Sequence, residues 1–178
     1  MKAFLFIAFL CSCALADAEE VKMKLSSAAF AAGQRIPQKY TGEGADISPP
    51  LSWDGAPAGT KSFALICEDP DAVRLAGKVW VHWVIWNIPG TATGLPENVE
   101  KKEVVLNGAR QGMNSWPRLG YNGPMPPPGH GVHHYHFKLY ALDTVLDSPP
   151  RATKQQLEAA MKGHILAEAE LIGTYERK

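Results

Sequence analysis

Hydrogen-bonding side chains occur at the ends of three segments that have the composition of β-strands. They are Asp69, His82, His133 and Tyr135. Imidazole N–H and phenol O–H groups suit a small anion such as phosphate, and a carboxylate either orients a histidine or accepts from the cationic part of a zwitterion. If the three strands are neighbours in one sheet, the four side chains converge. The sequence therefore predicts a pocket for a small anionic ligand.

The segments 61–68 and 79–88 both have the composition of buried strands. The first is almost continuously apolar, which is typical of a strand buried on both faces, and the second is β-branched and aromatic throughout. Because side chains alternate between the faces of a strand, Asp69 is expected on the face of Cys67. By the same rule, the face of His82 should also carry Trp80, Val84 and Trp86.

A loop rich in glycine and proline precedes the third strand. Residues 120–131 read GYNGPMPPPGHG, which cannot extend a helix and offers few donors to a sheet. The strand should begin at Val132, with one face formed by His133, Tyr135, Phe137 and Leu139. The strand is apolar on this face except for its first two residues, and it follows a rigid loop. This combination is typical of the edge of a ligand pocket.

The remaining segments favour a mainly β fold. We expect strands at residues 21–30 and 102–106. Thr153 and Gln156 have the spacing of a capping box, so a helix should start there and end near Gly163. Residues 165–175 are ambiguous, although their last five residues favour a closing strand. Short strands separated by turns, with one late helix, indicate a β-sandwich with an accessory helix.

Residues 1–16 have the features of a secretory signal peptide. Lys2 supplies a positive start, an apolar run follows, and Ala14-Leu15-Ala16 has the small-x-small form of a signal-peptidase site. The run is too short to span a bilayer. We expect cleavage to leave a single exported domain, periplasmic or secreted, over residues 17–178. A second interpretation stays open, in which the chain is a lipoprotein anchored through Cys13.

Charge and cysteine content limit the partners and the sources of stability. The sequence holds 18 basic and 18 acidic residues, and loss of Lys2 with the signal leaves 17 against 18. That balance implies no basic surface for nucleic acid. Cys67 is the one cysteine outside the signal region, so we expect no internal disulfide in an exported domain.

A metal site has little support in the sequence. His134 and His136 form an H-x-H pair on one strand face, which is one way to begin a zinc site. No carboxylate or cysteine stands at a helpful spacing, and we therefore expect neither a metal nor another cofactor.

A catalytic site is a further alternative, because Asp69, His82 and His133 include a base and a group to orient it. The sequence has no G-x-S-x-G, no phosphate-binding P-loop and no H-E-x-x-H, and nothing visibly activates Ser115, the nearest serine to the loop. Rigid donors without a nucleophile favour binding over turnover.

Five short motifs occur in series along the chain. They are SPPLSW (48–53), DPDA (69–72), WVHW (80–83), GYNGP (120–124) and GVHHY (131–135). Together they resemble the phosphatidylethanolamine-binding protein family, in particular its prokaryotic Raf kinase inhibitor-like branch of the YbhB and YbcL type. Each motif alone is weak, whereas five in order are specific, and the resemblance extends through residues 173–175.

The resemblance implies a Greek-key β-sandwich with one or two short accessory helices and a small anion-binding pocket. Matched motif by motif, the family's ligand-binding residues fall on Asp69, Trp80, His82, His133 and Tyr135, with Gly123 and Pro124 in the rim loop. The sequence departs from the family at Val73, where proline is usual, and at His134, where arginine is common. Both departures bear on ligand preference.

We therefore expect non-enzymatic binding of a small anion, either phosphate-like or a phospholipid head group. The resemblance also implies inhibition of a kinase or a protease by docking, although export argues against a cytosolic kinase. Two alternatives stay open: a hydrolase built on Asp69 with His82 and His133, and a protein-docking inhibitor whose pocket is incidental. The sequence does not set the oligomeric state, so a homodimer is open, and the mature chain should have no transmembrane segment.

Overall fold

The computed structural model describes residues 22–178, which form two antiparallel sheets and two short helices. The strands are β1 (Lys24–Ser26), β2 (Leu51–Asp54), β3 (Ser62–Asp69), β4 (Trp80–Pro89), β5 (Gly94–Leu95), β6 (Val104–Val105), β7 (Ala109–Gln111), β8 (His133–Leu142) and β9 (Ile165–Tyr175). The helices are α1 (Val73–Ala76) and α2 (Lys154–Met161). Across residues 22–178, no helix is long and apolar enough to cross a membrane. The predicted signal peptide, its cleavage site and Cys13 lie outside the described residues.

The main core lies between the two sheets. The three-stranded sheet has the order β1-β2-β5, and the six-stranded sheet has the order β6-β7-β4-β3-β8-β9. Leu51 and Trp53 of the smaller sheet pack in one cluster with Phe63, Leu65 and Phe137 of the larger sheet. The prediction of a mainly β fold is confirmed.

A second apolar cluster covers the outer face of the larger sheet. Leu157 and Met161 of α2 pack there with Ile66 and Trp86. All eight residues of β3 are buried, as its continuous apolar run predicts for a strand covered on both faces. The Thr153 hydroxyl accepts from the backbone N–H of Gln156, so the predicted capping box starts α2.

The order of the larger sheet brings the candidate residues to one end. β3 lies between β4 and β8 and is antiparallel to both. The last residue of β3 therefore lies beside the first residues of its two neighbours. Asp69 pairs with Trp80, and Glu68 pairs with His136, so the start of β8 extends past the end of β3.

A β-bulge at His82 corrects the predicted faces of β4. Cys67 pairs with Trp83 and the next residue, Glu68, pairs with Val81, so two residues of β4 oppose one of β3. The strict alternation assumed from sequence fails at this point. His82 lies on the side of the inter-sheet core, whereas Val84 and Trp86 lie in the outer cluster under α2.

Three strand predictions differ in length from the structure, and in one of them, 102–106, only β6 forms. The segment predicted as a strand over 21–30 contains only β1, because the Ser27 hydroxyl accepts from the N–H of Ala29 at 3.1 Å, a local bond that bends the chain after Ser26. Conversely, all of 165–175 forms β9, including Ile165 to Glu170, whose pattern was ambiguous. The backbone pairs of β8 with β9 run from His133–Tyr175 to Leu142–Ile165, and this ladder overrides the weak local preference.

Candidate ligand-binding site

A cavity of about 240 Å³ lies at the end of the larger sheet where β3, β4 and β8 meet. Five residues predicted from the sequence line it: Asp69, Trp80, His82, His133 and Tyr135. The other lining residues come from α1 and its approach (Ala72, Leu75, Ala76), from Trp116, and from the proline loop (Met125, Pro126, Pro127). The cavity thus has a polar floor formed by strand ends and mostly apolar walls.

Asp69 orients His133 on the cavity floor. The Nδ1 atom of His133 lies 2.7 Å from Oδ2 of Asp69, and both side chains are buried. A carboxylate only accepts hydrogen bonds, so Nδ1 carries a proton and Nε2 is left for another partner. The second carboxylate oxygen, Oδ1, accepts from the backbone N–H of Ala72 at 3.2 Å. Asp69 therefore fixes both the imidazole and the turn that leads into α1.

His82 is held by a backbone carbonyl of the glycine-proline loop. Its Nδ1 donates to the carbonyl oxygen of Asn122 at 2.6 Å, and the N–H of Asn122 donates to the carbonyl of His82. Complete burial lowers the pKa of His82 to about 4, so the ring is neutral near pH 7. The sequence predicted N–H groups from both histidines for a ligand. In the structure the N–H of His82 is directed to Asn122, and Nε2 is an acceptor.

Tyr135 supplies a phenol that stays protonated. Burial raises the pKa of its hydroxyl well above the usual range, and the nearby Asp69 carboxylate acts in the same direction. The Tyr135 ring meets the His82 ring edge to face, with centroids 5.1 Å apart. Within residues 22–178 the hydroxyl forms no hydrogen bond, so it is available as a donor in the cavity.

Trp116 belongs to the cavity wall, a position that the sequence did not predict. Its ring meets Trp80 at 5.3 Å and His82 at 5.1 Å between centroids, both edge to face. Lys78 places its ammonium 5.2 Å from the Trp80 ring centroid. Trp53, Trp83 and Trp86 are buried in the two apolar clusters. No periodic signal marks Trp116, because it lies in an irregular segment.

Gly123 and Pro124 do not line the cavity, and they directly precede Met125, Pro126 and Pro127 of its wall. The N–H of Gly123 donates to Oδ1 of Asp46 at 2.6 Å, and the carbonyl of Pro124 accepts from Gly42 at 2.9 Å. A Cβ on Gly123 would lie 2.2 Å from the carbonyl oxygen of Tyr40, so only glycine fits at this close approach. Both residues anchor the loop, whose next residues form the cavity wall.

Asp46 supports the loop that holds His82, a role that the sequence did not predict. Besides Gly123, its carboxylate accepts from Nδ2 of Asn122 at 2.9 Å and from Nζ of Lys101 at 2.7 Å. Asn122 in turn holds His82, so Asp46 positions the imidazole through one intermediate residue. A lone aspartate in a turn-rich segment gives no signal of this role, since the contact joins residues 76 positions apart.

The histidine pair considered for zinc and the serine nearest to the loop do not line this cavity. His134 binds Asp71 and His136 binds Glu170, each at 2.8 Å. In the part of the chain that the structure describes, no group of three His, Cys, Asp or Glu side chains is arranged to hold a metal ion. The Ser115 hydroxyl accepts from the N–H of Val81 at 2.9 Å and so supports the start of β4.

Comparison with known proteins identifies relatives over nearly all of the described chain. Residues 26–176 match the phosphatidylethanolamine-binding protein family. A UPF0098 protein of Methanothermobacter thermautotrophicus is 56% identical over 155 residues, which cover 87% of this chain and 99% of that protein. A UPF0098 protein of Pyrococcus horikoshii is 48% identical over 162 residues, covering 90% of this chain and 79% of that protein.

Solved structures give the same assignment. The Chlamydia trachomatis protein described as a phosphatidylethanolamine-binding protein homologue is 42% identical, with a TM-score of 0.80 over 89% of this chain and 99% of that one. Escherichia coli YbcL, described as a new member of the mammalian family, is 34% identical, with a TM-score of 0.81 over 88% of this chain and 99% of that one. This chain therefore belongs to the phosphatidylethanolamine-binding protein family.

Proposed function

We propose that the protein binds a small anionic group, phosphate or a phospholipid head group, in the cavity between Asp69, His82, His133 and Tyr135. The observation that carries the proposal is the convergence of these four side chains on one hollow of about 240 Å³. Pockets for drug-sized ligands span roughly 300–1,000 Å³. The smaller hollow suits a head group or a free anion.

The polar groups of the cavity support an anion that also carries a donor. The Tyr135 hydroxyl donates to a phosphate oxygen, and Nε2 of His133, which the Nδ1 bond to Asp69 leaves available, is a second contact for the ligand. The neutral His82 offers an acceptor at Nε2, and the Asp69 carboxylate oxygens are acceptors as well, so both favour an ammonium or a protonated oxygen on the ligand. Trp80 and Trp116 add aromatic walls, which attract cations. A zwitterionic phosphate ester satisfies all of these groups.

Binding without turnover is the second part of the proposal. Among the described residues that line the cavity, none is a serine, threonine, cysteine or lysine. Burial raises the pKa of Tyr135, which makes the phenol a poor nucleophile, and the Cys67 thiol is buried in the core with a raised pKa. The described lining therefore offers His133 and Asp69 no serine or threonine hydroxyl, thiol or amine to activate as a nucleophile. With the predicted export signal, we place this binding activity outside the cytoplasm.

Isothermal titration with inorganic phosphate and with phosphoethanolamine tests the proposal. His133→Ala should weaken both ligands at least tenfold, because it removes an imidazole from the cavity lining. It should also lower the free energy of unfolding, since it leaves the buried Asp69 carboxylate without its imidazole partner. His130→Ala is the matched control, since His130 is exposed in the loop and does not line the cavity. Equal affinities of wild type and His133→Ala, or no binding by the wild type, would contradict the proposal.

A further inference from the structure

A groove leads from the cavity past Trp116. Trp116 and Met125 line the cavity and also a second hollow of about 210 Å³, which Asp46, Arg118 and Asn122 line as well. These last three residues also line a third hollow of about 440 Å³. The first and second hollows therefore adjoin at Trp116 and Met125, and the second and third adjoin at Asp46, Arg118 and Asn122.

The far part of this groove is positively charged. Arg118 lines the second and third hollows, and Lys101 and Arg151 line the third. Lys101 pairs with Asp46, the one acidic residue among the described lining residues of these two hollows. Within residues 22–178, the guanidinium groups of Arg118 and Arg151 form no ion pair. Three cations thus oppose one carboxylate, although the whole chain has no net charge.

The groove floor is polar and already held in place. The Asp46 carboxylate accepts from Gly123, Asn122 and Lys101, and the Asn122 side chain also accepts from Nδ2 of Asn114 at 2.8 Å. These bonds fix the floor and leave the exposed arginines as the groups able to meet a ligand. A concave polar path with cations along it suits an extended acidic chain better than a flat bilayer surface.

We propose that the groove is a second anion subsite, which binds the acidic segment of a peptide whose phosphate occupies the cavity. Arg118 is the first contact beyond Trp116, and Arg151 is the next. Arginine suits this role because its planar guanidinium binds carboxylates in a bidentate manner. The inference rests on the proposed function, since the cavity must hold the phosphate that places the chain in the groove.

Two phosphoserine peptides test the subsite, one with glutamates on both sides of the phosphoserine and one with glutamines in the same positions. Wild type should prefer the glutamate peptide, and the preference should fall roughly fivefold with each of Arg118→Ala and Arg151→Ala. The affinity for inorganic phosphate should stay unchanged in both variants. Lys24→Ala is the control, because Lys24 is exposed on the three-stranded sheet outside the groove.

The possible results separate the two proposals. Equal affinity of wild type for both peptides, with phosphate still bound, would overturn the groove subsite and leave the pocket function standing. Failure of phosphate and of both peptides to bind would contradict the pocket function and the subsite together. Loss of binding to phosphatidylglycerol vesicles in the arginine variants, with the peptides bound equally, would assign the groove to a membrane instead.

Discussion

From the low pKa of His82 we predict how the free energy of unfolding changes with pH. Burial lowers the pKa of this imidazole from 6.5 to about 4, so the unfolded chain takes up a proton more readily than the folded one. The stabilisation is fully present above pH 6.5 and is lost as the pH falls toward 4. Each pH unit in that window changes the free energy of unfolding by about 1.4 kcal/mol. Between pH 7 and pH 5 the loss from this one group is therefore about 2 kcal/mol.

The variant His82→Asn isolates this contribution. Asparagine has no titratable group, and its amide can replace Nδ1 as the donor to the carbonyl of Asn122. Urea unfolding at pH 5, 6 and 7 gives the stability difference between wild type and variant at each pH. The other titrating groups are common to both proteins and cancel, so the difference should shrink by about 2 kcal/mol from pH 7 to pH 5.

An exposed histidine provides the control. His130→Asn should change the stability by the same small amount at all three pH values, since His130 is exposed in the loop. A difference between wild type and His82→Asn that does not vary from pH 7 to pH 5 would refute the reasoning. That result would mean that the His82 ring titrates normally and is not enclosed by the fold as described.

Three further predictions address ligand binding and its support. Tyr135→Phe should weaken phosphate binding severalfold, because it removes a hydroxyl donor from the cavity lining; equal affinities of wild type and variant by calorimetry would count against this donor. Asp46→Ala should lower the free energy of unfolding by roughly 1–3 kcal/mol, because it leaves loop donors unpaired, and should weaken phosphate binding although Asp46 does not line the cavity. If Asp46→Ala has the same urea midpoint and the same affinity for phosphate as the wild type, Asp46 does not support the loop in this way. Generic ester and phosphoester substrates should show no turnover above buffer, and turnover abolished by Asp69→Ala would instead assign the protein to the hydrolases.

The positions of the strands and of most cavity residues could be predicted from the sequence, because they depend on local patterns. β3 is a continuous apolar run, and β8 alternates without interruption, so the faces of Asp69, His133 and Tyr135 follow from parity. The capping box at Thr153 similarly starts α2 where its spacing predicts. The prediction that the strand ends converge assumed that the three strands are neighbours in one sheet. The observed order β4-β3-β8 satisfies this assumption.

Only the tertiary structure decided how His82 reaches the cavity and what surrounds it. The bulge at His82 arises from the pairing of β4 with β3, and a single strand carries no sign of a register shift in its partner. Trp116, Met125 and Asp46 lie in irregular segments, where no period links a side chain to a direction. Their positions depend on contacts between distant residues, such as Asp46 with Gly123. Local sequence therefore sets which groups are available, and long-range packing sets which of them share the cavity.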